Sequence, residues 1–141
     1  MTRIDFYIIP QDQLDHIFSF TCRLAEKAFQ HDHKVTIKVN SEDEAQMLDD
    51  LLWRFKPESF LPHVKQTDTE EAPIRIVWDD LGTDYEVLIN LSDEVPLEFT
   101  RFQRVTQIAS QHPEQRAKSR EHYKFYKERG YPLHNHDLRK R

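Results

Sequence analysis

Glycine is nearly absent from this chain, with only Gly82 and Gly130 among 141 residues. A phosphate cradle needs closely spaced glycines so that backbone amides can close on the anion; GxGxxG needs three, and Gly82 and Gly130 lie too far apart to form GxxxxGK[ST]. Cysteine is scarcer still. Cys22, the one thiol, excludes an intrachain disulfide and a cysteine metal cluster within one chain. It sits inside a helical pattern and reads as a core residue rather than a nucleophile. Long apolar runs are missing too: none approaches the ~20 residues of a membrane span. The opening MTRIDFYIIPQDQ carries acids directly after its apolar part, unlike a secretory signal. The expectation is a cytoplasmic protein.

What is present is charge. Charged residues make up 32% and hydrophobic residues 38% of the chain, a balance suited to a small α/β protein. The length predicts one α/β domain over residues 1–133, followed by a basic C-terminal tail, 134–141. The charge is unevenly placed. Residues 1–111 hold eleven Lys and Arg against twenty-one Asp and Glu, and residues 112–141 hold nine against four. An acidic body with a basic end does not suit a general nucleic-acid binder and suits a protein that meets one acidic partner locally.

Hydrophobic periodicity places the elements. IDFYII, Ile4 to Ile9, lacks a helical period and stops at Pro10, which predicts a buried strand. Leu14, Ile17, Phe18, Thr21, Leu24, Ala25, Ala28 and Phe29 recur every three or four residues, an amphipathic helix starting near Asp12. Val35 to Val39 reads as a strand, and Ser41 with Glu44 as a capping box opening a helix to about Trp53. KQTDTEEAP reads as a loop, Ile74 to Trp78 and Tyr85 to Leu91 as strands. Phe99 to Ala109 reads as a helix, or as a short helix giving way to a strand at VTQIA. Pro113 and Gly130 bracket a last helix over 113–129. Strands alternating with helices predict a three-layer, mostly parallel sheet with helices on both faces, Rossmann-like without a phosphate loop.

Several constellations carry a chemical reading beside a plain one. Asp79 and Asp80 end the IRIVW strand as the acids of a nucleotide triphosphatase would, which keeps open a nucleotide- or metal-dependent hydrolase. Without a phosphate cradle they read as turn residues. His31 with His33 and His134 with His136 suggest metal ligands, but a pair is half a site. The first pair suits a helix C-terminus and the second a tail. No cofactor is expected. The last helix is more informative. Arg116, Arg120, Lys124 and Lys127 share a face beside Tyr123 and Tyr126, which is either a solvated basic face or a surface for an acidic, apolar peptide or a single strand of nucleic acid. The stretch LLWRFKPESFLPH sets Trp53, Phe55, Phe60 and Leu61 at a helix end and in a proline-broken loop, a second exposed aromatic surface.

FYII at the start, LDDLLWRFKPESFLPH in the centre and SREHYKFYKERGYPL near the end make the chain resemble the chi subunit of bacterial DNA polymerase III over nearly its whole length. The resemblance implies a nucleotide-fold relative that binds no nucleotide and catalyses nothing. It further implies a clamp-loader accessory that binds the psi subunit on one surface and the acidic, Phe-terminated tail of single-stranded-DNA-binding protein on another. The family's peptide site carries over to Trp53, Phe60, Ala109, Arg120, Tyr123 and Lys124, with His122 standing where a second basic Arg can occur. In this expectation one peptide meets both the aromatic loop and the basic helix. The isolated protein is expected to be a monomer that meets DNA only through its partners.

Overall fold

Strands that are apolar on both faces must be covered twice, and this sheet is covered twice. A computed structural model describes residues 1–55 and 60–139. The elements are β1 (Arg3–Ile8), α1 (Asp15–Gln30), β2 (Val35–Lys38), α2 (Glu42–Arg54), β3 (His63–Lys65), β4 (Ile74–Val77), β5 (Val87–Asn90), β6 (Arg104–Ala109), α3 (Pro113–Glu128) and β7 (Leu133–Asp137), with a 3-10 helix over Leu97–Arg101 before β6. Seven strands form one parallel sheet in the order β3-β4-β2-β5-β6-β1-β7. This is the expected open, three-layer α/β arrangement.

Side chains alternate across the sheet and build two cores. Val35, Ile37, Ile74, Ile76 and Ile89 meet Ile17, Cys22 and Ala25 of α1 and Ala45, Leu48 and Leu52 of α2. On the other face Ile4, Phe6, Leu88 and Val105 meet Tyr126 of α3 together with Phe99 and Phe102. Burial pushes the Cys22 thiol up to about 12, so it packs as a hydrophobe, as its helical position predicts.

Local chemistry sets most boundaries. At α2, Ser41 Oγ accepts from Glu44 N at 3.2 Å, and Glu44 Oε1 accepts from Asn40 N at 2.8 Å. Pro113 occupies the first turn of α3. Gly130, at φ +79°, ends that helix, with its N–H donating to Lys127 O at 3.0 Å and Tyr131 N donating to Tyr126 O at 3.2 Å. That pair of bonds is a Schellman cap, and it turns the chain back toward the sheet.

Three expectations need correction. Helix α1 begins at Asp15 rather than Asp12, without a side-chain cap. Residues 63–65 form a strand at the sheet edge where the sequence pattern predicts only a loop, because three residues are too few to show a period. Residues 134–137, read as a tail, lie in β7, paired parallel to β1 from Ile4↔Leu133 to Ile8↔Asp137. LHNHD has no apolar run because an edge strand draws its support from backbone pairing. The choice left open for Phe99 to Ala109 resolves as a short helix followed by a strand. Pro57 in the aromatic loop, with Glu58 and Ser59 of the central motif, and the tail residues Lys140 and Arg141 lie outside the described residues.

Candidate functional site

Because β1 and β6 end in register at Ile8↔Ala109, their carboxyl ends make a shared floor between α3 and β7. Over it lies a cleft of about 290 Å³. Phe6, Ile8 and Ala109 form its apolar base, and the short Ala109 side chain leaves it open. Tyr123 stands on Phe6 edge-on, ring centroids 5.2 Å apart, and its hydroxyl accepts from Asn135 Nδ2 at 3.3 Å. Arg116 and Arg120, one helical turn apart on α3, and Arg139 after β7 add three exposed guanidinium groups. Arg139 is already paired with Asp137, by bonds of 2.9 and 2.7 Å. An apolar base beside exposed cations suits a ligand that ends in an apolar side chain beside a carboxylate.

The structure therefore brings Ala109, Arg120 and Tyr123 together. Lys124 is exposed on α3 one turn beyond Arg120 and does not line the cleft. Trp53 and Phe60 lie elsewhere. They pair with each other at 5.5 Å between ring centroids, 55% and 64% exposed, beside β3. Five strand spacings separate β3 from β1, about 24 Å across the sheet. The structure therefore sets the aromatic pair and the basic helix on different parts of the sheet, so the two groups expected to share the peptide site are not adjacent.

The aromatic surface has its own support. His63, with no exposed side-chain surface, lies 4.7 Å from the Trp53 ring. Its Nδ1 donates to Leu61 O at 2.6 Å, and its Nε2 faces Asp49 Oδ1 at 3.3 Å. The Trp53 indole packs on this buried ring while more than half of its own surface stays exposed.

His122 does not act as a surface cation. It is buried, with Nε2 donating to Asp93 O at 2.8 Å and Nδ1 accepting from Gln107 Nε2 at 3.1 Å, the pattern of a neutral imidazole. Gln107 Oε1 in turn accepts from Tyr126 at 3.0 Å, and burial raises the pKa of that phenol.

The remaining candidates resolve as structure. Asp80 Oδ1 accepts from Gly82 N at 2.9 Å, and Asp79 accepts from Gln66 Nε2. The N–H groups of Trp78, Asp79 and Asp80 converge on Gln66 Oε1 at 3.0 to 3.2 Å. Both acids serve a turn. His31 Nδ1 donates to Lys27 O at 2.8 Å at the end of α1, the helix-terminus role expected of it. His33 faces Glu86 at 3.4 Å. His136 bonds Asp5 at 2.8 Å and stacks on Tyr7, while His134 is exposed. No group of three or more His, Cys, Asp or Glu able to hold a metal occurs among the described residues.

Phe6, Ile8, Asn135 and Arg139 escaped the sequence reading as cleft residues. Strand alternation alone would have placed Phe6 and Ile8 on a common face, but nothing local shows that β7 returns beside β1.

Comparison with known proteins bears on the whole chain. Residues 1–134 match the family described as "DNA polymerase III chi subunit, HolC". A protein of Pseudomonas aeruginosa named DNA polymerase III subunit chi is 37% identical over 139 residues, covering 98% of both chains. Proteins of the same name from Haemophilus influenzae and Escherichia coli are 28% and 26% identical, with 91% and 94% of this chain covered, and 92% and 96% of theirs.

Proposed function

The chain belongs to the DNA polymerase III chi-subunit family, and from that premise we propose that it is a non-catalytic tether in the clamp-loader complex. One surface holds the acidic, Phe-ended tail of single-stranded-DNA-binding protein, and another holds the psi subunit. The observation that carries the reading is the separation of two chemically different surfaces on opposite edges of one sheet. A bridge needs two such faces.

The cleft between α3 and β7 takes the tail. Its last Phe side chain enters over Phe6, Ile8 and Ala109 against Tyr123, and its carboxylate and aspartates meet Arg116, Arg120 and Arg139. The Trp53–Phe60 pair takes the psi subunit, since an exposed aromatic anchor on a rigid helix is the usual centre of a protein interface. Lys124 lies outside the cleft and contributes long-range attraction. A replication subunit of this kind works in the cytoplasm. No helix among the described residues is long and apolar enough to cross a membrane.

The test is a fluorescence titration of the purified chain with an acidic peptide ending in Phe. Arg120→Ala and Tyr123→Ala each weaken it by about 1 to 3 kcal/mol, whereas Trp53→Ala leaves it unchanged and instead weakens psi binding. Equal affinity of wild type, Arg120→Ala and Tyr123→Ala would remove the assignment.

A further inference from the structure

A second and larger cleft, about 710 Å³, lies over the carboxyl ends of β2, β5 and β6. In parallel α/β proteins this is where ligands bind, but the connection after β1 has no glycine to admit a phosphate. The floor is also closed chemically. Asn90 Nδ2 donates to Gln107 Oε1 at 2.9 Å, Gln107 Nε2 to His122 at 3.1 Å and His122 to Asp93 O at 2.8 Å. These bonds leave the floor groups engaged with one another.

The walls are apolar. Leu14 and Phe18 stand on the α1 side, Met47 and Leu51 on α2, and Leu91 follows β5. Of these, Leu14 and Met47 are 51% and 60% exposed. Isolated exposed apolar residues are ordinary, but these two line one cleft together with Phe18, Leu51 and Leu91.

The rim is acidic. Asp15, Glu44, Asp50, Asp93 and Glu114 border the cleft, against the cations Arg54 and Lys118. None of the five acids forms an ion pair with Lys or Arg among the described residues. Such a rim repels phosphates and attracts cations.

We propose that this cleft docks a short amphipathic segment of a partner protein, with apolar side chains packing on Leu14 and Met47 and flanking Lys or Arg residues meeting the acidic rim. Helix α2 then serves two interfaces: Met47, Asp50, Leu51 and Arg54 face this cleft, and Trp53 faces the β3 edge. Methionine in this wall adapts to side chains of different shape. The inference is independent of the tail and psi assignments.

The experiment uses the full chain and a labelled Leu/Lys amphipathic peptide of about four helical turns, beside a counterpart in which every Lys is Glu. The Lys peptide binds, and the Glu peptide binds at least about tenfold more weakly. Leu14→Gln/Met47→Gln removes the exposed apolar side chains without changing charge and weakens the Lys peptide by about tenfold. Asp50→Asn/Glu114→Gln does the same and flattens its salt dependence. Arg120→Ala and Trp53→Ala leave it unchanged. All of these substitutions are at exposed positions, and circular dichroism checks their folding. Equal binding of the two peptides, or indifference to Leu14→Gln/Met47→Gln, overturns the proposal. So does sedimentation showing self-association that the same double substitution abolishes, since the occupant is then a second copy of this chain.

Discussion

Asp5 is a carboxylate with 1% of its surface exposed, and three cationic or basic side chains reach it. Burial raises its pKa. Hydrogen bonds from His136 and Arg3 and the charges of Arg104 and Arg3 outweigh that effect and hold the carboxyl below its usual range. A depressed folded-state pKa stabilises the fold above the unfolded value of about 3.9, and this contribution is lost as pH falls through the folded pKa. We predict that Asp5→Asn destabilises the protein at neutral pH and flattens the acid limb of its stability profile. Urea unfolding across that range is the check, and an unchanged acid limb is the contrary result. His122 makes a second case. Its replacement by Ala strands Gln107 Nε2 and Asp93 O, at a cost of about 1 to 3 kcal/mol. Thermal unfolding should fall by that amount while the affinity for the acidic peptide of the destabilised but folded variant stays near wild type. A basic residue in the peptide site would give the opposite pair of results.

At the scale of elements, β7 carries more than its composition suggests. It closes the outer edge of β1, supplies Asn135 to the Tyr123 hydroxyl and places Arg139 at the cleft. Its anchor is His136, bonded to Asp5 and stacked on Tyr7 at 4.3 Å between centroids. Truncation before Leu133 therefore unpairs the β1 edge and removes one wall of the cleft. The expected outcome is a lower melting temperature, loss of peptide binding and self-association through the bare edge, followed by thermal scans, titration and sedimentation. A truncated chain that binds the peptide normally would show that β7 is no part of the site. The acidic body and basic end seen in the sequence are likewise explained by elements, with α3 holding Arg116, Arg120, Lys124 and Lys127.

For the whole molecule, sheet order decides what can act together. The two proposed surfaces lie about 24 Å apart, beyond the range at which substitutions usually couple. Arg120→Ala and Trp53→Ala should therefore be additive within about 0.5 kcal/mol in a ternary assembly of the chain with peptide and psi subunit. Calorimetric titration of the single and double variants measures the interaction, and a coupling well above that would join the surfaces into one site. Raised salt should weaken the peptide more for wild type than for Arg120→Ala, because screening acts on a charge the variant has lost. The isolated chain is expected to sediment as a monomer.

The sequence alone determined what depends on neighbours along the chain. The strands at Ile4 and Val35, the Ser41–Glu44 cap, the Pro113 start and Gly130 stop of α3, and the turn role of Asp80 are local matters of period, capping and φ. Glycine scarcity likewise rules out a glycine-rich phosphate cradle whatever the fold. The family resemblance was legible because the Trp53 block and the α3 motif are contiguous. Only the tertiary structure decided the rest. Whether Trp53 and Tyr123 share a site depends on strand order, which no local pattern encodes. That LHNHD is a strand depends on the backbone of β1 beside it, and that His122 is buried depends on Gln107 from another element. These are long-range contacts whose chemistry exists only once distant segments have met.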